Sequence, residues 1–314
     1  MKKWILFLLA AMLMLAGCGG APEVTQPSGE ESVPSTGETG PDFSAYESKV
    51  KVLCYNIYYQ DVDGRQENIQ DLMVKQDADV LLLQEVSVSW IPYLQSFMQE
   101  NGYSYYGYGR HGGELSDPNV GSGDQFVPVL WKTEKYELVK SGHFWLSSTP
   151  DEVKSAAWVD GVISKYPRCV NWVILKDKET SGEFVAMNIH TDPESEQVRT
   201  NSCALAVEKL EGIAEGRPVV VGGDWNMGLT ASGYGILTSA GYQDCRVAAP
   251  DADMGGSFNA WGDRDEDNFA YGDHIFMSGD MVAEKFAVVN DYYDGEHISD
   301  HCPLQAILYY KTIR

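Results

Sequence analysis

The sequence predicts an α/β fold in which two mixed β-sheets pack against each other and helices flank their outer faces. Ten short apolar runs are rich in β-branched and aromatic residues, as is typical of strands, whereas only three segments show the apolar period of a helix. Strands therefore outnumber helices. This difference rejects a strictly alternating parallel sheet and favours two packed sheets with helices outside.

The first segment, residues 1–17, is predicted to be a secretory signal peptide. Lys2 and Lys3 precede an apolar stretch, residues 4–15, that is too short to span a bilayer. The stretch ends in LAGC, which resembles a bacterial lipobox and implies cleavage before Cys18 and attachment of a lipid to its sulfur. We expect an extracytoplasmic protein anchored to the cell membrane by this lipid. The alternative is an ordinary secreted protein with an incidental cysteine.

The next segment, residues 18–48, is predicted to be a disordered tether that begins with the lipidated cysteine. Its composition changes to Gly, Pro, Ser, Thr and Glu, which leaves almost nothing to bury. Residues 49–314 have the length of one large domain, and no second low-complexity break divides them. We therefore expect a single folded domain, and we expect it to be a monomer.

Within this domain the predicted elements follow in order. The strand-like runs are residues 50–57, 80–84, 103–108, 126–131, 169–175, 184–189, 219–221, 274–277, 283–289 and 304–310. The helical segments are residues 65–76, 90–100 and 194–215. In the first helical segment, for example, Ile69, Leu72 and Met73 form one apolar face.

The formal net charge of −23 argues against polyanionic binding partners such as nucleic acids. Proteins that bind nucleic acids cluster Lys and Arg side chains against the phosphates, but the basic residues here are scattered singly among acidic ones. Extended nonspecific DNA binding is therefore disfavoured. A bound divalent cation would offset the repulsion locally, so a small phosphate group can still be recruited.

The cysteines carry no recognisable pattern. Five remain after Cys18, none lies in a C-x-x-C pair, and no zinc-type spacing is visible. We expect most of them to be small buried hydrophobic residues. Cys302 directly follows His301, and because side chains alternate along an extended segment, it should point away from any site that His301 forms.

Polar residues at the ends of the apolar runs predict one shared site. Asn56, Glu85, His190 and Asp224 lie where runs finish, whereas Asp273, Asp300 and His301 lie where runs begin. In a pair of antiparallel strands, the end of one strand and the beginning of the other lie at the same edge of the sheet. Residues two apart share a face if they are extended, which pairs Asn188 with His190 and Asp224 with Asn226. Oxygen ligands with a carboxylate-supported histidine suit a hard divalent cation and phosphoester hydrolysis.

The histidine at this edge needs a carboxylate partner. Asp300 and His301 are neighbours in sequence, so they face opposite ways on an extended segment. The carboxylate that orients His301 should therefore come from another strand, and Asp273 is the natural candidate.

Six motifs together resemble those of the endonuclease/exonuclease/phosphatase superfamily, which includes DNase I-like nucleases, sphingomyelinases and inositol-phosphate phosphatases. They are YNI at 55–57, DVLLLQEV at 79–86, NIH at 188–190, GGDWN at 222–226, GDHIF at 272–276 and SDH at 299–301. The resemblance spans residues 51–310 and follows the order of the family. It implies a four-layer α/β sandwich and one or two Mg²⁺ ions, with Mn²⁺ often substituting.

The resemblance also assigns roles by position. It implies that Glu85 is the principal metal ligand, with Asn56 and Asp300 close to it. The implied catalytic residues are His190, Asp224, Asn226, Asp273 and His301, of which either His301 or Asp224 would be the general base. Arg168 and Asn188 are the implied contacts to the substrate.

Two positions depart from the family pattern. Gln125 stands where related bacterial proteins usually carry a glutamate, which puts a second metal position in doubt. Gly272 replaces an arginine that commonly precedes the aspartate of the GDHIF motif. Three tryptophans, Trp145, Trp225 and Trp261, are candidates for the wall of a substrate pocket, although core packing would also explain them.

These observations predict a divalent-metal-dependent phosphoesterase tethered outside the cytoplasmic membrane. Its substrate is expected to be a phosphorylated small molecule or a lipid headgroup, because the acidity disfavours long nucleic acids. An extracellular nuclease is the alternative enzyme, and a binding lipoprotein that kept the fold but lost the chemistry is the alternative outside enzymes. Mg²⁺-dependent turnover would distinguish the last of these from the others.

Overall fold

The structure is a computed structural model that describes residues 41–265, 269–279 and 281–312. Its strands are β1 (Ser48–Asn56), β2 (Val80–Gln84), β3 (Val86–Ser87), β4 (Tyr103–Tyr106), β5 (Gln125–Phe126), β6 (Val129–Lys132), β7 (Tyr136–Trp145), β8 (Cys169–Asp177), β9 (Glu183–His190), β10 (Val219–Asp224), β11 (Gln243–Asp244), β12 (Asp251–Ala252), β13 (Asp273–Met277), β14 (Met281–Val288), β15 (Tyr292–Tyr293), β16 (Glu296–His297) and β17 (Leu304–Tyr310). Its helices are α1 (Gln66–Gln76), α2 (Ile91–Asn101), α3 (Glu196–Ala214), α4 (Ser232–Ser239) and α5 (Cys245–Ala248), with 3₁₀ turns at Phe43–Ala45, Val88–Trp90 and Ala260–Gly262. None of the helices in these ranges is long and apolar enough to cross a membrane.

Two large mixed sheets organise the domain. The first has the order β12-β14-β17-β1-β2-β6-β4, and the second has the order β11-β13-β10-β9-β8-β7. In the first sheet β1 is parallel to β2 and antiparallel to β17, and in the second β10 is parallel to β9 and antiparallel to β13. The predicted fold class is therefore confirmed.

Alternation along the strands explains the layers. Val52 and Cys54 of β1 share one core with Ala186 of β9 and Val220 of β10, which lie on the facing sheet. The intervening residues of β1 point to the other side, where Leu53 packs in a core with residues of α1 and α2. A third core joins the outer face of the second sheet to α3 and α4. The four layers are thus helix, sheet, sheet and helix.

The sequence pattern found the longer buried strands. It missed the partly exposed β7 and the two-residue strands β3, β11, β12, β15 and β16. Residues of β7 alternate poorly, since Glu137–Lys140 are exposed at the edge of the second sheet. Helix α4 was also missed, because its sequence SGYGILTS contains two glycines and no clear apolar period. The run predicted at 126–131 divides into β5 and β6 around Pro128, which cannot donate a ladder hydrogen bond.

The folded part begins slightly before residue 49, the predicted start. Strand β1 starts at Ser48, and the ring of Phe43 in the preceding 3₁₀ turn lies 5.0 Å from the ring of Tyr309. The described residues between 41 and 312 belong to one compact unit. The predicted signal peptide, Cys18 and most of the predicted tether lie outside the described residues.

Candidate active site

Strand register brings three predicted site residues side by side. On the second sheet Asp224 pairs with His190 of the parallel neighbour β9 and with Asp273 of the antiparallel neighbour β13. From the first sheet, Asn56 at the end of β1 donates its Nδ2 to Asp224 Oδ2 at 3.1 Å. The site therefore lies where the ends of both sheets meet, whereas the sequence predicted that it lies at one edge of a single sheet.

A charged chain of contacts centres on His301. Its Nδ1 lies 2.7 Å from Asp273 Oδ2, which also accepts a hydrogen bond from Ser257 Oγ at 2.5 Å. The other ring nitrogen, Nε2, lies 3.8 Å from Asp224 Oδ2. Burial alone would lower the pKa of His301, but the negative charges of Asp273 and Asp224 outweigh it and raise the pKa to about 10. His301 is therefore an imidazolium at neutral pH, and Asp273 is the partner that the sequence predicts.

The carboxyl group of Asp224 is buried among these groups. Burial and the charge of Asp273 raise its pKa to about 7. His190 Nε2 lies 3.4 Å from Asp224 Oδ2. Burial, reinforced by the charge of Arg168, lowers the pKa of His190 well below its usual value, so this ring is neutral. The site thus contains one charged and one neutral histidine around a carboxyl group that titrates near neutral pH.

Glu85 and Asp300 form an oxygen-rich position beside this chain. Glu85 directly follows β2 in the left-handed region, with φ of +59°, which is a strained conformation for a side chain of its size. Its Oε2 accepts a hydrogen bond from the backbone N–H of Tyr59 at 3.2 Å. Burial and the charge of Asp300 raise the pKa of Glu85, and burial raises the pKa of Asp300. Two carboxylates that oppose each other's ionisation in a half-buried place fit a divalent cation.

Asn56 fits the same position through its amide oxygen. Its Oδ1 accepts one hydrogen bond, from the backbone N–H of Tyr58 at 3.1 Å, and an amide oxygen has a second lone pair. The ligand atoms of Asp224, Asp273 and His301 also lie within 4.8 Å of one another. We explain that cluster by the imidazolium held between two carboxylates, so Glu85, Asp300 and Asn56 remain the residues that would hold a metal.

Two arginines line a small cleft next to Glu85 and His190. They are Arg168, which the sequence predicts, and Arg110, which it does not. The Nε atoms of both are buried and have no hydrogen-bond partner within the described part of the chain. Both guanidinium groups lie over the ring of Tyr166, at 4.9 Å for Arg110 and 5.7 Å for Arg168. Unsatisfied guanidinium N–H groups beside the catalytic chain are suited to bind a phosphate oxygen.

Asn226 lies in the site, with φ of +49° just beyond β10. Its backbone N–H donates to Asp224 Oδ1 at 2.9 Å, and its Nδ2 donates to the carbonyl of Thr191 at 3.3 Å. Asn226 therefore fixes the orientation of the Asp224 carboxyl group. It is half-buried, so one face remains available to a bound molecule.

The structure corrects the assignment of Asn188 as a substrate contact. Its side chain is fully buried between the sheets, where Nδ2 donates to the carbonyls of Leu83 and Pro128 and Oδ1 accepts from Gln84 Nε2 at 2.7 Å. Asn188 lies on the same face of β9 as His190, as expected, but it is two residues farther from the end of the strand and therefore farther from the cleft. It joins the two sheets and does not reach the cleft.

The two departures from the family pattern have structural consequences. Gln125 Oε1 accepts a hydrogen bond from Arg110 Nη1 at 2.9 Å, so Gln125 positions an arginine where a glutamate would have added a charge. A Cβ atom at Gly272 would lie 3.7 Å from Asp224 Oδ1 and 3.8 Å from the ring of His301. A side chain at this position would therefore pack directly against Asp224 and His301, and glycine leaves out that contact.

Of the three candidate tryptophans, one borders the site. Trp145 and Trp225 are buried in the core. Trp261 is 42% exposed, and its ring makes an edge contact with the ring of Tyr58 at 5.0 Å. The backbone N–H groups of Asn259 and Ala260 both donate to the carbonyl of Asp300, so the Trp261 loop is fixed to the predicted metal position.

The comparisons with known proteins agree with this geometry. The sequence profile of the Endonuclease/Exonuclease/phosphatase family matches residues 53–301. The chain is similar to the structure of an endonuclease/exonuclease/phosphatase from Bacteroides vulgatus, with 24% identity and a TM-score of 0.75 over 84% of this chain and 100% of that chain. It is also similar to a mannosyl-6-phosphatase from Bacteroides thetaiotaomicron, with 25% identity and a TM-score of 0.70 over 83% and 100% of the two chains.

More distant structures share the fold. The human Nocturnin catalytic domain is 17% identical, with a TM-score of 0.65 over 84% of this chain and 95% of that chain. No curated protein matches the sequence. The profile match covers most of the chain and includes every predicted site residue outside the N-terminal segment. The chain therefore belongs to the endonuclease/exonuclease/phosphatase family.

Proposed function

We propose that this protein is a divalent-metal-dependent hydrolase of small phosphoesters. The observation that carries the proposal is the buried chain Asp273–His301–Asp224 beside the half-buried carboxylates of Glu85 and Asp300. Members of this family hydrolyse phosphoesters, and Glu85, Asp300 and Asn56 offer oxygen ligands for a metal. Mg²⁺ is the expected ion, with Mn²⁺ as a substitute, because all the offered ligands are oxygens.

The chain's own residues divide the catalytic work. Asp224, whose pKa is about 7, is the group best suited to accept a proton from an attacking water. His301 is positively charged, so it stabilises the negative charge that develops on the phosphoryl oxygens. Asp273 holds the His301 ring in place at 2.7 Å. When bound, a divalent cation supplies further positive charge to the phosphoryl group and lowers the pKa of bound water.

The neutral His190 and the two arginines complete the phosphate site. His190 lies beside Asp224 and lines the same cleft as Arg110 and Arg168. A neutral imidazole can donate one hydrogen bond to a phosphoryl oxygen, and the free Nε atoms of the arginines can donate two more. This donor set binds one phosphate group and is too small to follow a nucleic-acid backbone.

A phosphorylated sugar or a similar polar headgroup is the substrate class that we favour. The similarity to a mannosyl-6-phosphatase at 25% identity supports it, and so does the net charge of −23, which opposes long polyanions. The exposed ring of Trp261 borders the site, where it can contact the organic part of the molecule. We further propose that a lipid on Cys18 holds the enzyme outside the cytoplasmic membrane, because an apolar segment ending in LAGC precedes a polar tether.

Turnover of a defined substrate panel tests the proposal. The full-length chain should release phosphate from hexose 6-phosphates or inositol phosphates with Mg²⁺ or Mn²⁺, and EDTA should abolish the release. His301→Ala should remove most of this activity without unfolding the domain. Faster cleavage of plasmid DNA or RNA than of any small phosphoester would support the nuclease alternative. Tight binding without turnover would support the binding lipoprotein and refute the enzyme.

A further inference from the structure

A second group of metal-ligating side chains lies outside the catalytic site. Asp291, His297 and Cys302 each offer one ligand atom, and these atoms all lie within 4.8 Å of one another. Asp291 Oδ1 is 2.5 Å from His297 Nδ1 and 3.4 Å from Cys302 Sγ. The group combines a carboxylate, an imidazole and a thiol, which is a different donor chemistry from the oxygen ligands of the catalytic site.

The backbone folds around this group. The short hairpin of β15 and β16 separates Asp291 from His297 and brings the chain back on itself. The backbone N–H of Ser299 donates to Asp291 Oδ2, and the N–H of Ile298 donates to the Asp291 carbonyl, both at 3.3 Å. Asp291 is fully buried, so its orientation is fixed before any ligand arrives.

Cys302 is fixed from the other side. Its backbone N–H donates to the carbonyl of Ser257 at 2.7 Å, and Asn259 Nδ2 lies 3.6 Å from its sulfur. Metal-bound thiolates commonly accept such hydrogen bonds from outer groups. His301 faces the catalytic chain and Cys302 faces Asp291, as alternation along the segment predicts.

A cavity gives access to the group. It has a volume of about 570 Å³ and is lined by His297 and Cys302 together with residues that include Gly256, Tyr271 and Val288. None of the residues assigned to the catalytic site lines it. An ion can therefore reach the imidazole and the thiol without passing through the catalytic site, and the cavity leaves room for a fourth ligand from solvent.

We propose that Asp291, His297 and Cys302 form a binding site for Zn²⁺ or a similar borderline-soft divalent ion. Zinc accepts sulfur, nitrogen and carboxylate ligands at about 2.0–2.3 Å in a tetrahedral arrangement, which places neighbouring ligand atoms roughly 3.3–3.8 Å apart. The separation of Asp291 Oδ1 from Cys302 Sγ fits this range. The shorter contact between Asp291 and His297 is a hydrogen bond that opens when the ion enters. The proton on His297 Nδ1 then leaves to solvent or moves to Nε2, so that Nδ1 presents its lone pair to the ion, and Cys302 loses its thiol proton to solvent.

The ion would stabilise the segment that carries the catalytic residues. Asp300, His301 and Cys302 are consecutive, so an ion on Cys302 restrains the backbone of the two residues that face the phosphate site. A protein that binds an ion only in its folded state becomes more stable by mass action. The competing explanation is that the three side chains form a hydrogen-bonded strut that binds no ion.

Cobalt substitution separates the two explanations, because a sulfur ligand gives a thiolate-to-Co²⁺ charge-transfer absorption that oxygen and nitrogen ligands do not. The full-length chain, stripped with EDTA, is titrated with Co²⁺ and Zn²⁺ in excess Mg²⁺, and absorbance and melting temperature are recorded. We expect one equivalent of Co²⁺ to produce the sulfur band, Zn²⁺ to abolish it, and Zn²⁺ to raise the melting temperature. Cys302→Ser should lose the band, whereas Cys203→Ser, which changes a buried thiol beside Met227, should keep it.

His297→Asn provides an independent variant that preserves folding. The Asn amide can still donate to Asp291 in place of the imidazole Nδ1. Loss of a direct ligand should weaken Zn²⁺ binding by more than the roughly 10–100-fold that outer groups typically contribute. An absent sulfur band in the wild type, a band that persists in Cys302→Ser, or an unchanged Zn²⁺ affinity in His297→Asn would overturn the proposal.

Discussion

Replacing Asp273 by Asn tests the catalytic chain most directly, because the substitution keeps the shape and removes one charge. Asp273 Oδ2 accepts from His301 Nδ1 at 2.7 Å and from Ser257 Oγ at 2.5 Å. If the Nδ2 group of the Asn faces Nδ1, the ring must become neutral and carry its proton on Nε2. If the Oδ1 atom faces Nδ1 instead, the Nδ1–H bond can persist. In both cases, the substitution removes the carboxylate that contributes most to keeping His301 protonated.

The size of the effect follows from the role of the charge. Acid, base and charge-stabilising side chains typically contribute about 10²–10⁴ to the rate, so kcat should fall by that factor. Because tenfold corresponds to about 1.4 kcal/mol, this is a loss of about 3–5 kcal/mol of transition-state stabilisation. KM should change little, since Asp273 does not line the phosphate cleft.

The protein contains a matched control for this substitution. Asp244 Oδ2 lies 2.9 Å from His274 Nδ1 in a second fully buried carboxylate–histidine pair, and His274 Nε2 contacts the carbonyl of Met227. Asp244 also pairs with the fully buried Arg246 at 3.7 Å. Asp244→Asn should therefore cost about 3–5 kcal/mol of unfolding free energy, as expected for a broken buried ion pair, and leave kcat within about twofold. Steady-state kinetics gives kcat for both variants, and urea unfolding gives their unfolding free energies. Equal losses of kcat in the two variants, or an unchanged kcat in Asp273→Asn, would refute the assigned role.

Three further predictions concern the ion, the phosphate and pH. Glu85→Gln should raise the Mg²⁺ concentration that gives half-maximal activity by about tenfold or more. The control Glu183→Gln should not change this concentration, because Glu183 lies at the start of β9 and the site residue His190 lies at its end. In a substrate titration, Arg168→Gln should raise KM by about 10–100-fold, because the charged hydrogen bonds to the phosphate are lost. The control Arg217→Gln breaks an ion pair with Glu183 and should leave KM unchanged. In EDTA, the free energy of unfolding should fall by a few kcal/mol as pH rises from about 6.5 towards 10, because His301 has a raised pKa in the folded state. His301→Asn should flatten this pH profile in urea titrations, and an unchanged slope would show that the ring is not charged.

The sequence predicted the residues whose position follows from strand ends. Asp224 is the last residue of β10, and Asp273 is the first residue of its antiparallel neighbour β13. Their pairing could therefore be predicted from the strand boundaries and the antiparallel direction alone. Asp273 was also predicted correctly as the partner of His301, but the alternation argument for it did not hold. Residues 300 and 301 precede β17 and lie in no strand, and Asp300 faces the same site beside Glu85. The pairing of Asp224 with Asp273 thus rests on strand ends, which a sequence displays locally.

The errors concern residues whose role depends on depth or on another segment. Asn188 lies on the predicted face but is buried by the packing of the second sheet, and sequence spacing carries no measure of depth. Arg110 follows β4, and its place in the cleft depends on Gln125, which is 15 residues away in a separate strand. The Asp291–His297–Cys302 group escaped notice because its ligands have no established zinc spacing and converge only through a hairpin.

The charge balance of the site supports the proposed requirement for a divalent ion. The carboxylates of the site belong to Glu85, Asp224, Asp273 and Asp300. The positive groups belong to His301, Arg110 and Arg168, and His190 is neutral. Above pH 7, where Asp224 is mostly ionised, the site is slightly negative. A phosphomonoester brings up to two further negative charges, which the protein alone would repel. In our proposal, a bound Mg²⁺ would reverse the sign of the local charge without adding basic residues. A strongly acidic protein would then bind one phosphate group and still reject a polyanion.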